Sequence, residues 1–303
     1  MSADNSTIVR IISKLAAAWP DLGDPLLGEL FLRAPRRLRT PEGEHSRLWA
    51  QAHSHWLPTR DGKVRLWQWG AGPVIVLVHG YGGAASQLTP FIEPLIAAGY
   101  AVTAYDAPGH GASSGRHASL VSAAQALLRV LDAVGPVHGV IAHSLGGAAL
   151  CLAVRRGAQL ERAVLIAPPS DVRHWYRAFV DMFALGSEQA ARVQRVIERR
   201  VATPMHELAV SVLGPHVKAR TLVVHDRNDR EVPFATGEEV ARAIPEATLL
   251  ATEGLGHRRI LMERAVIDAA VAFVTEGVRG NRSLAGLIDD ELFHPEHRLT
   301  QTA

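Results

Sequence analysis

Val140-Ile141-Ala142-His143-Ser144-Leu145-Gly146-Gly147 changes character halfway along. Val137 to Ile141 is an apolar, β-branched run of the kind a strand buried on both faces carries. Ala148 to Val154 is small-residue and helix-compatible. Between the two stands a serine followed by Gly146 and Gly147, where a sharp strand-to-helix turn needs atoms removed. Such a turn pushes the serine out of the sheet, with its hydroxyl exposed and its backbone strained. The competing reading is an ordinary helix N-cap, a position that Ser favours. The rest of the chain decides between them.

The chain has 303 residues, 48% hydrophobic and 20% charged, enough for one large domain with room for an inserted subdomain. Formal net charge is +2, and Lys14, Lys63 and Lys218 are the only lysines. The Arg and Ala bias fits a GC-rich bacterial genome. Charges are scattered, with no basic stripe interleaved with aromatics, so nucleic acid is not an expected partner. Cys151 is the only cysteine, which rules out an intrachain disulfide and a zinc site of paired cysteines. Met1 to Pro20 is interrupted by Arg10 and Lys14 and lacks the layout of a signal peptide. Stable membrane insertion is not expected, and a cytoplasmic location is the default.

Taken in order, Thr7 to Trp19 is amphipathic, with Ile8, Ile11, Ile12, Leu15 and Trp19 at helical spacing. Packing on the domain is the simple reading; its apolar face leaves a membrane-surface or homodimer role open. Pro20 to Glu44 is rich in Pro, Gly and Arg and reads as linker, with a short helix around Leu26 to Leu32. His53 to Leu57 and Val64 to Trp69 read as a hairpin closed by Arg60-Asp61-Gly62. Strand and helix then alternate: strands at Val74 to Val78, Tyr100 to Tyr105, Val137 to Ile141 and Leu160 to Ile166, helices at Gln87 to Ala98 and Ser119 to Val134. Alternation lapses from Asp171 to Leu213, which is helical throughout. It resumes with strands at Thr221 to His225 and Ala247 to Ala251 and helices at Phe234 to Ala243 and Ile260 to Thr275. The expectation is an α/β fold: a mostly parallel, eight-stranded, doubly wound sheet with helices inserted after the sixth strand. Glu276 to Ala303 is a polar tail. Its His294-Pro295-Glu296-His297 has metal-like spacing but no third ligand in view, and no metal or cofactor is assigned.

In such a sheet ligands bind at the carboxyl ends of the strands. Five strand ends carry polar groups of interest: His79-Gly80-Tyr81-Gly82, Asp106, Ser144, Asp229 and Glu253-Gly254-Leu255-Gly256-His257. With Asp106-Ala107-Pro108-Gly109-His110-Gly111 and Asp229-Arg230-Glu231-Val232-Pro233, these motifs make the chain resemble the α/β-hydrolase superfamily, in particular its cap-bearing esterase and lysophospholipase-like branch. The resemblance runs from about Arg65 to Val274, and the order Ser, Asp, His is the order of that fold. It implies a nucleophile at Ser144, a base at His257 and an orienting carboxylate at Asp229, with Asp226 and Glu231 as rivals for the last role. It places an oxyanion hole at the backbone N–H groups of Tyr81 and Leu145. Asp106 and His110 read as structural, and His143 as orienting the turn. The implied organisation is a helical extension over residues 1–50, a core over 51–168 and 216–278, a helical cap over 169–215 and a tail over 279–303. One departure stands out. The family has Gly two residues before the nucleophile, where this chain has Ala142.

The implied activity is cleavage of carboxylic esters through an acyl-enzyme, on a small-molecule ester. Tyr81, Trp175, Tyr176, Phe179 and Phe183 are the candidate substrate contacts. Monoacylglycerol or lysophospholipid hydrolysis is the runner-up. Haloperoxidase and carbon–carbon bond hydrolase relatives share the triad. Peptidase chemistry lacks its usual Gly-Gly-Ser-Trp-Gly context, and dehalogenase chemistry its Asp nucleophile. A non-catalytic binding protein on the same fold is the reading from a different class.

Overall fold

The Asp61-Gly62 turn closes the hairpin that its sequence promises. β1 (His53–Thr59) pairs antiparallel with β2 (Gly62–Trp69), and Thr59 lies opposite Gly62. Gly62 has a φ of +126°, which a β-carbon would disfavour. The computed structural model describes residues 9, 12–14, 16–35 and 45–276. Six further strands complete one sheet: β3 (Val74–Val78), β4 (Ala101–Tyr105), β5 (Val137–His143), β6 (Arg162–Ile166), β7 (Arg220–Asp226) and β8 (Ala247–Thr252). Their order is β1-β2-β4-β3-β5-β6-β7-β8. β1, β2 and β4 run antiparallel to one another in turn, and β4 through β8 are parallel.

The inner strands bury both faces, hence their unbroken apolar runs. Val76, Val78, Val140, Ala142, Ala163 and Leu165 face one layer; Ile75, Leu77, Ile141, Val164 and Ile166 face the other. The first layer holds α4 (Leu120–Val134), α5 (Leu145–Arg155), α8 (Val210–Leu213) and α9 (Phe234–Ala243). The second holds α2 (His45–Ala50), α3 (Ile92–Ala97) and α11 (Arg264–Thr275). Ser119 caps α4 as expected: its hydroxyl accepts the Ser122 N–H at 3.0 Å. The helix expected over Gln87 to Ala98 begins as a tighter turn, Ala85–Phe91, before α3. Pro90 and Pro94 lack the N–H groups a continuous helix would use. At the other end, Gly256–Arg259 forms a separate turn, α10, and α11 starts only at Arg264.

Between β6 and β7 the chain forms α6 (Arg173–Phe183) and α7 (Ser187–Val201), then short turns through His216. Before the hairpin lies α1, spanning Pro20–Leu32, which corrects the reading of that stretch as mostly linker. Pro20 sits in the first turn, where no helical N–H is required. The glycines mark close packing: a β-carbon at Gly28 would stand 2.8 Å from Val196 Cγ1 of α7. Leu27, Leu32, Tyr176, Phe183, Val193 and Ile197 therefore share one core cluster over the carboxyl end of the sheet. Of the expected helix Thr7 to Trp19, residues 9, 12–14 and 16–18 are helical; the others, and the tail after Glu276, lie outside the described residues. No helix among the described residues is long and apolar enough to cross a membrane.

Leu27 is fully buried between α1 and α7. Leu27→Ala is expected to lower unfolding stability by about 2–5 kcal/mol, the range for a large-to-small change in a packed core. Urea denaturation followed by circular dichroism checks it; a loss well under 1 kcal/mol would mean that α1 is not packed as described.

Candidate active site

Ser144 leaves β5 with φ +51° and ψ −126°. A non-glycine residue in such a conformation costs about 1–3 kcal/mol and needs its surroundings to hold it there. Its N–H donates to the Ile166 carbonyl at 2.8 Å, and its own carbonyl accepts the Gly147 N–H at 2.9 Å. Glycines supply the space. A β-carbon at Gly146 would lie 2.7 Å from the His79 carbonyl oxygen, and one at Gly80 would lie 2.7 Å from Ser144 Cβ. Ala142 sits within β5, opposite Val78 and Leu165, and its methyl leaves both pairings intact.

His257, on the α10 turn, places Nε2 3.0 Å from Ser144 Oγ and Nδ1 2.7 Å from Asp229 Oδ2. The other Asp229 oxygen accepts the N–H groups of Glu231 and Val232 at 2.8 and 2.9 Å. His225 Nε2 donates to the Val232 carbonyl and stands 3.6 Å from the same carboxylate. Burial alone would raise the Asp229 pKa. The His225 and His257 side chains and the Val232 N–H outweigh it and hold the carboxyl well below the usual range. The rivals are engaged elsewhere. Asp226 accepts Thr252 Oγ1 and the N–H groups of Leu255 and Asn228. Glu231 pairs with Arg258 at the surface.

The neighbouring histidines fix backbone. His143 donates from Nε2 to the His257 carbonyl at 2.9 Å. Burial, and then the nearby His257, push its pKa down to about 3, so it stays neutral. His79 Nε2 accepts the Ala107 N–H, leaving Nδ1 to donate to the Gly80 carbonyl. His110 Nε2 accepts the Gly82 N–H at 3.0 Å. Asp106 accepts N–H groups from Ala85 and Ala112. Together these hold the Gly80–Gly83 loop against the Ser144 turn. The N–H of Tyr81 makes no backbone hydrogen bond among the described residues, and that of Leu145, first in α5, has no helical acceptor.

A cavity of about 460 Å³ opens from Ser144 and His257 under α6 and α7. Tyr81, Trp175 and Phe179 line it. Tyr176 and Phe183, expected as contacts, do not. Both are buried in the cluster with α1, where the Tyr176 hydroxyl donates to the Ala190 carbonyl. Leu30, Phe31 and Leu32 of α1 line the cavity instead. The sequence reading placed a short helix around Leu26 to Leu32 but assigned it no part in the site; the hint was the Leu30-Phe31-Leu32 run. No cluster of three or more His, Cys, Asp or Glu residues able to hold a metal occurs among the described residues.

Two family models match the chain in succession. One, described as serine aminopeptidase, S33, matches residues 71–212; the other, described as TAP-like protein, matches residues 198–283. The 2-hydroxy-6-oxononadienedioate/2-hydroxy-6-oxononatrienedioate hydrolase 1 of Dechloromonas aromatica (strain RCB) is 29% identical over 233 residues, 60% of this chain and 80% of that protein. The pimeloyl-(acyl-carrier protein) methyl ester esterase of Aromatoleum aromaticum is 27% identical over 257 residues, 69% of this chain and 99% of that protein. Among solved structures, the Pyrococcus furiosus esterase Pf2001 has a TM-score of 0.62 at 18% identity, covering 80% of this chain and 98% of its own. The Exiguobacterium antarcticum esterase has a TM-score of 0.58 at 16% identity, covering 73% and 99%. The chain has the α/β-hydrolase fold of these esterases, and the two hydrolase family models between them match residues 71–283.

The depressed Asp229 pKa ties stability to pH. The contribution is present above the unfolded Asp value of about 3.9 and is lost as pH falls towards the lower folded value. Asp229→Asn is expected to lower stability at neutral pH and to flatten its decline below about pH 4. Urea midpoints across a pH series report both effects; an unchanged acid slope would refute the assignment.

Proposed function

We propose that the protein is a serine hydrolase that cleaves carboxylic esters carrying an apolar group. The observation that carries the reading is the 3.0 Å approach of His257 Nε2 to Ser144 Oγ at the mouth of a largely apolar cavity. Ser144 Oγ attacks the ester carbonyl while His257 Nε2 takes its proton. Asp229 holds the tautomer with Nδ1 protonated and stabilises the imidazolium. The N–H groups of Leu145 and Tyr81 receive the oxyanion, each contributing about 3–4 kcal/mol in comparable sites. The intermediate collapses, His257 returns the proton to the departing alcohol, and an acyl group remains on Ser144. A water deprotonated by His257 then releases the acid. The helices of residues 169–215 act as a cap over this chemistry.

Other chemistries fit the lining less well. An aminopeptidase must neutralise a free amino group, and the carboxylate on the cavity rim, Glu231, is already paired with Arg258. A dioate such as the Dechloromonas relative's name specifies needs cationic partners, and Arg258, the basic residue lining this cavity besides its histidine pair, is the one held by Glu231. Monoacylglycerols and lysophospholipids carry the apolar chain that the lining accepts and remain the second reading.

Ser144→Ala is expected to reduce turnover of p-nitrophenyl esters by about 10⁴-fold or more and to abolish labelling by a fluorophosphonate, with the fold unchanged. Amino-acid p-nitroanilides should not be turned over. Absence of labelling in the folded wild type, or equal labelling of both proteins, would overturn the proposal.

A further inference from the structure

We infer that Phe31, on the N-terminal helix α1, is a specificity-determining residue whose bulk limits the size of the apolar group that the Ser144 cavity accepts. The inference rests on the ester-hydrolase reading above and extends it to a segment before the hydrolase core. Polar groups in the cavity gather at its Ser144 and His257 end. The side formed by α1, α6 and α7 is apolar, lined among others by Leu30, Phe31, Phe179 and Ile197. A ligand bound there presents its reacting carbonyl to Ser144 and its hydrocarbon to this wall.

The Phe31 ring is held in place. It meets the edges of Phe179 at 5.4 Å and Tyr176 at 5.5 Å, both near perpendicular. Phe179 lines the same cavity, and Tyr176 is buried behind it. The helix beneath is anchored on both sides. Asp24 pairs with Arg192 at 2.6 Å, and Glu29 pairs with Arg200 at 2.7 Å and also with His117. At its end the Leu32 carbonyl accepts the Ala118 N–H at 2.8 Å, and the Ala34 N–H donates to the Arg116 carbonyl at 2.9 Å. The Arg33 carbonyl accepts the Tyr81 hydroxyl at 3.2 Å, joining α1 to the loop beside Ser144. A wall fixed to both the inserted helix α7 and the loops beside Ser144 cannot yield freely to a longer chain. In pockets of this kind one methylene changes kcat/KM by about 10–200-fold.

The test compares full-length wild type, Phe31→Ala and Phe31→Trp on p-nitrophenyl butyrate, octanoate and laurate. Phe31→Ala should raise the laurate-to-butyrate ratio of kcat/KM by about tenfold or more, and Phe31→Trp should lower it. Phe31→Leu, expected to move the ratio in the same direction as alanine, serves if the alanine protein does not fold. Parallel changes on all three esters, with the ratio within about twofold of wild type, would overturn the inference and leave Phe31 a packing residue. A second arm titrates laurate into Ser144→Ala with and without Phe31→Ala. Tighter binding to the double variant supports the wall without using catalysis, and equal binding overturns it. An inactive wild type that keeps the laurate difference would overturn the ester reading alone.

Discussion

At Ser144 the backbone turns through a φ of +51°, and most of the site exists to hold that turn or to use it. The Ser144 side chain does not cap the helix that begins beside it. The turn is imposed by the Ile166 carbonyl on one side, the Gly147 N–H on the other, and two missing β-carbons at Gly80 and Gly146. The return for the strain is geometric. Oγ leaves the sheet towards His257, and the following N–H groups of α5 point to the space beside it, where a helix N-terminus favours negative charge. Relaxing the turn would realign all of these at once, because one residue sets their common direction.

The second constraint is electrostatic. A carboxylate with no exposed side-chain surface is costly unless its lone pairs are used. Asp229 uses them on two backbone N–H groups of its own loop and on His257. The loop is thereby wound around its charge, and the imidazole is aimed by a group that cannot rotate. Asp226, three residues earlier and equally buried, shows the contrast: the same chemistry satisfied by Thr252 and the 252–256 loop secures the backbone from which His257 projects. One acid holds the ring and the other holds the loop.

What was legible in the sequence follows the same division. The inner strands, buried on both faces, carry continuous apolar runs, and the outer pair β1 and β2 were marked by the Asp61-Gly62 turn between them, so all eight were visible, and residues at the carboxyl ends of the parallel strands have only one place to converge. Ser144, Asp229 and His257 are brought together where that logic put them. The region above the sheet was less legible. Helices α6 and α7 end at Ala184 and Ala202 in the left-handed conformation, where glycine would have marked the boundary. The first half of helix α1 hid behind Pro20, which its first turn tolerates, Pro25, which lies inside the helix, and glycines that close packing requires; only its end around Leu26 to Leu32 was read as helix. Trp175, Tyr176, Phe179 and Phe183 are equivalent in sequence; which of them face the cavity depends on where α1 lies, more than 140 residues earlier in the chain.

That dependence separates two kinds of stability in the molecule. The Ser144 turn is held by the β3, β5 and β6 strands, whose pairing continues on both sides and whose side chains belong to the two large core layers. The roof is held by a smaller cluster in which α1 and α7 bury Leu27, Val193 and Ile197 against each other, supplemented by ion pairs from Asp24 and Glu29. A change in the roof can therefore reshape the cavity while the strained turn keeps its support. The reverse does not hold: Arg33, at the end of the roof, is joined to His117 and Tyr81, in loops that follow β4 and β3, and the Tyr81 loop stands beside Ser144. The Ser144–His257–Asp229 geometry is thus built into the two large core layers, and the apolar cavity wall into the smaller cluster above them.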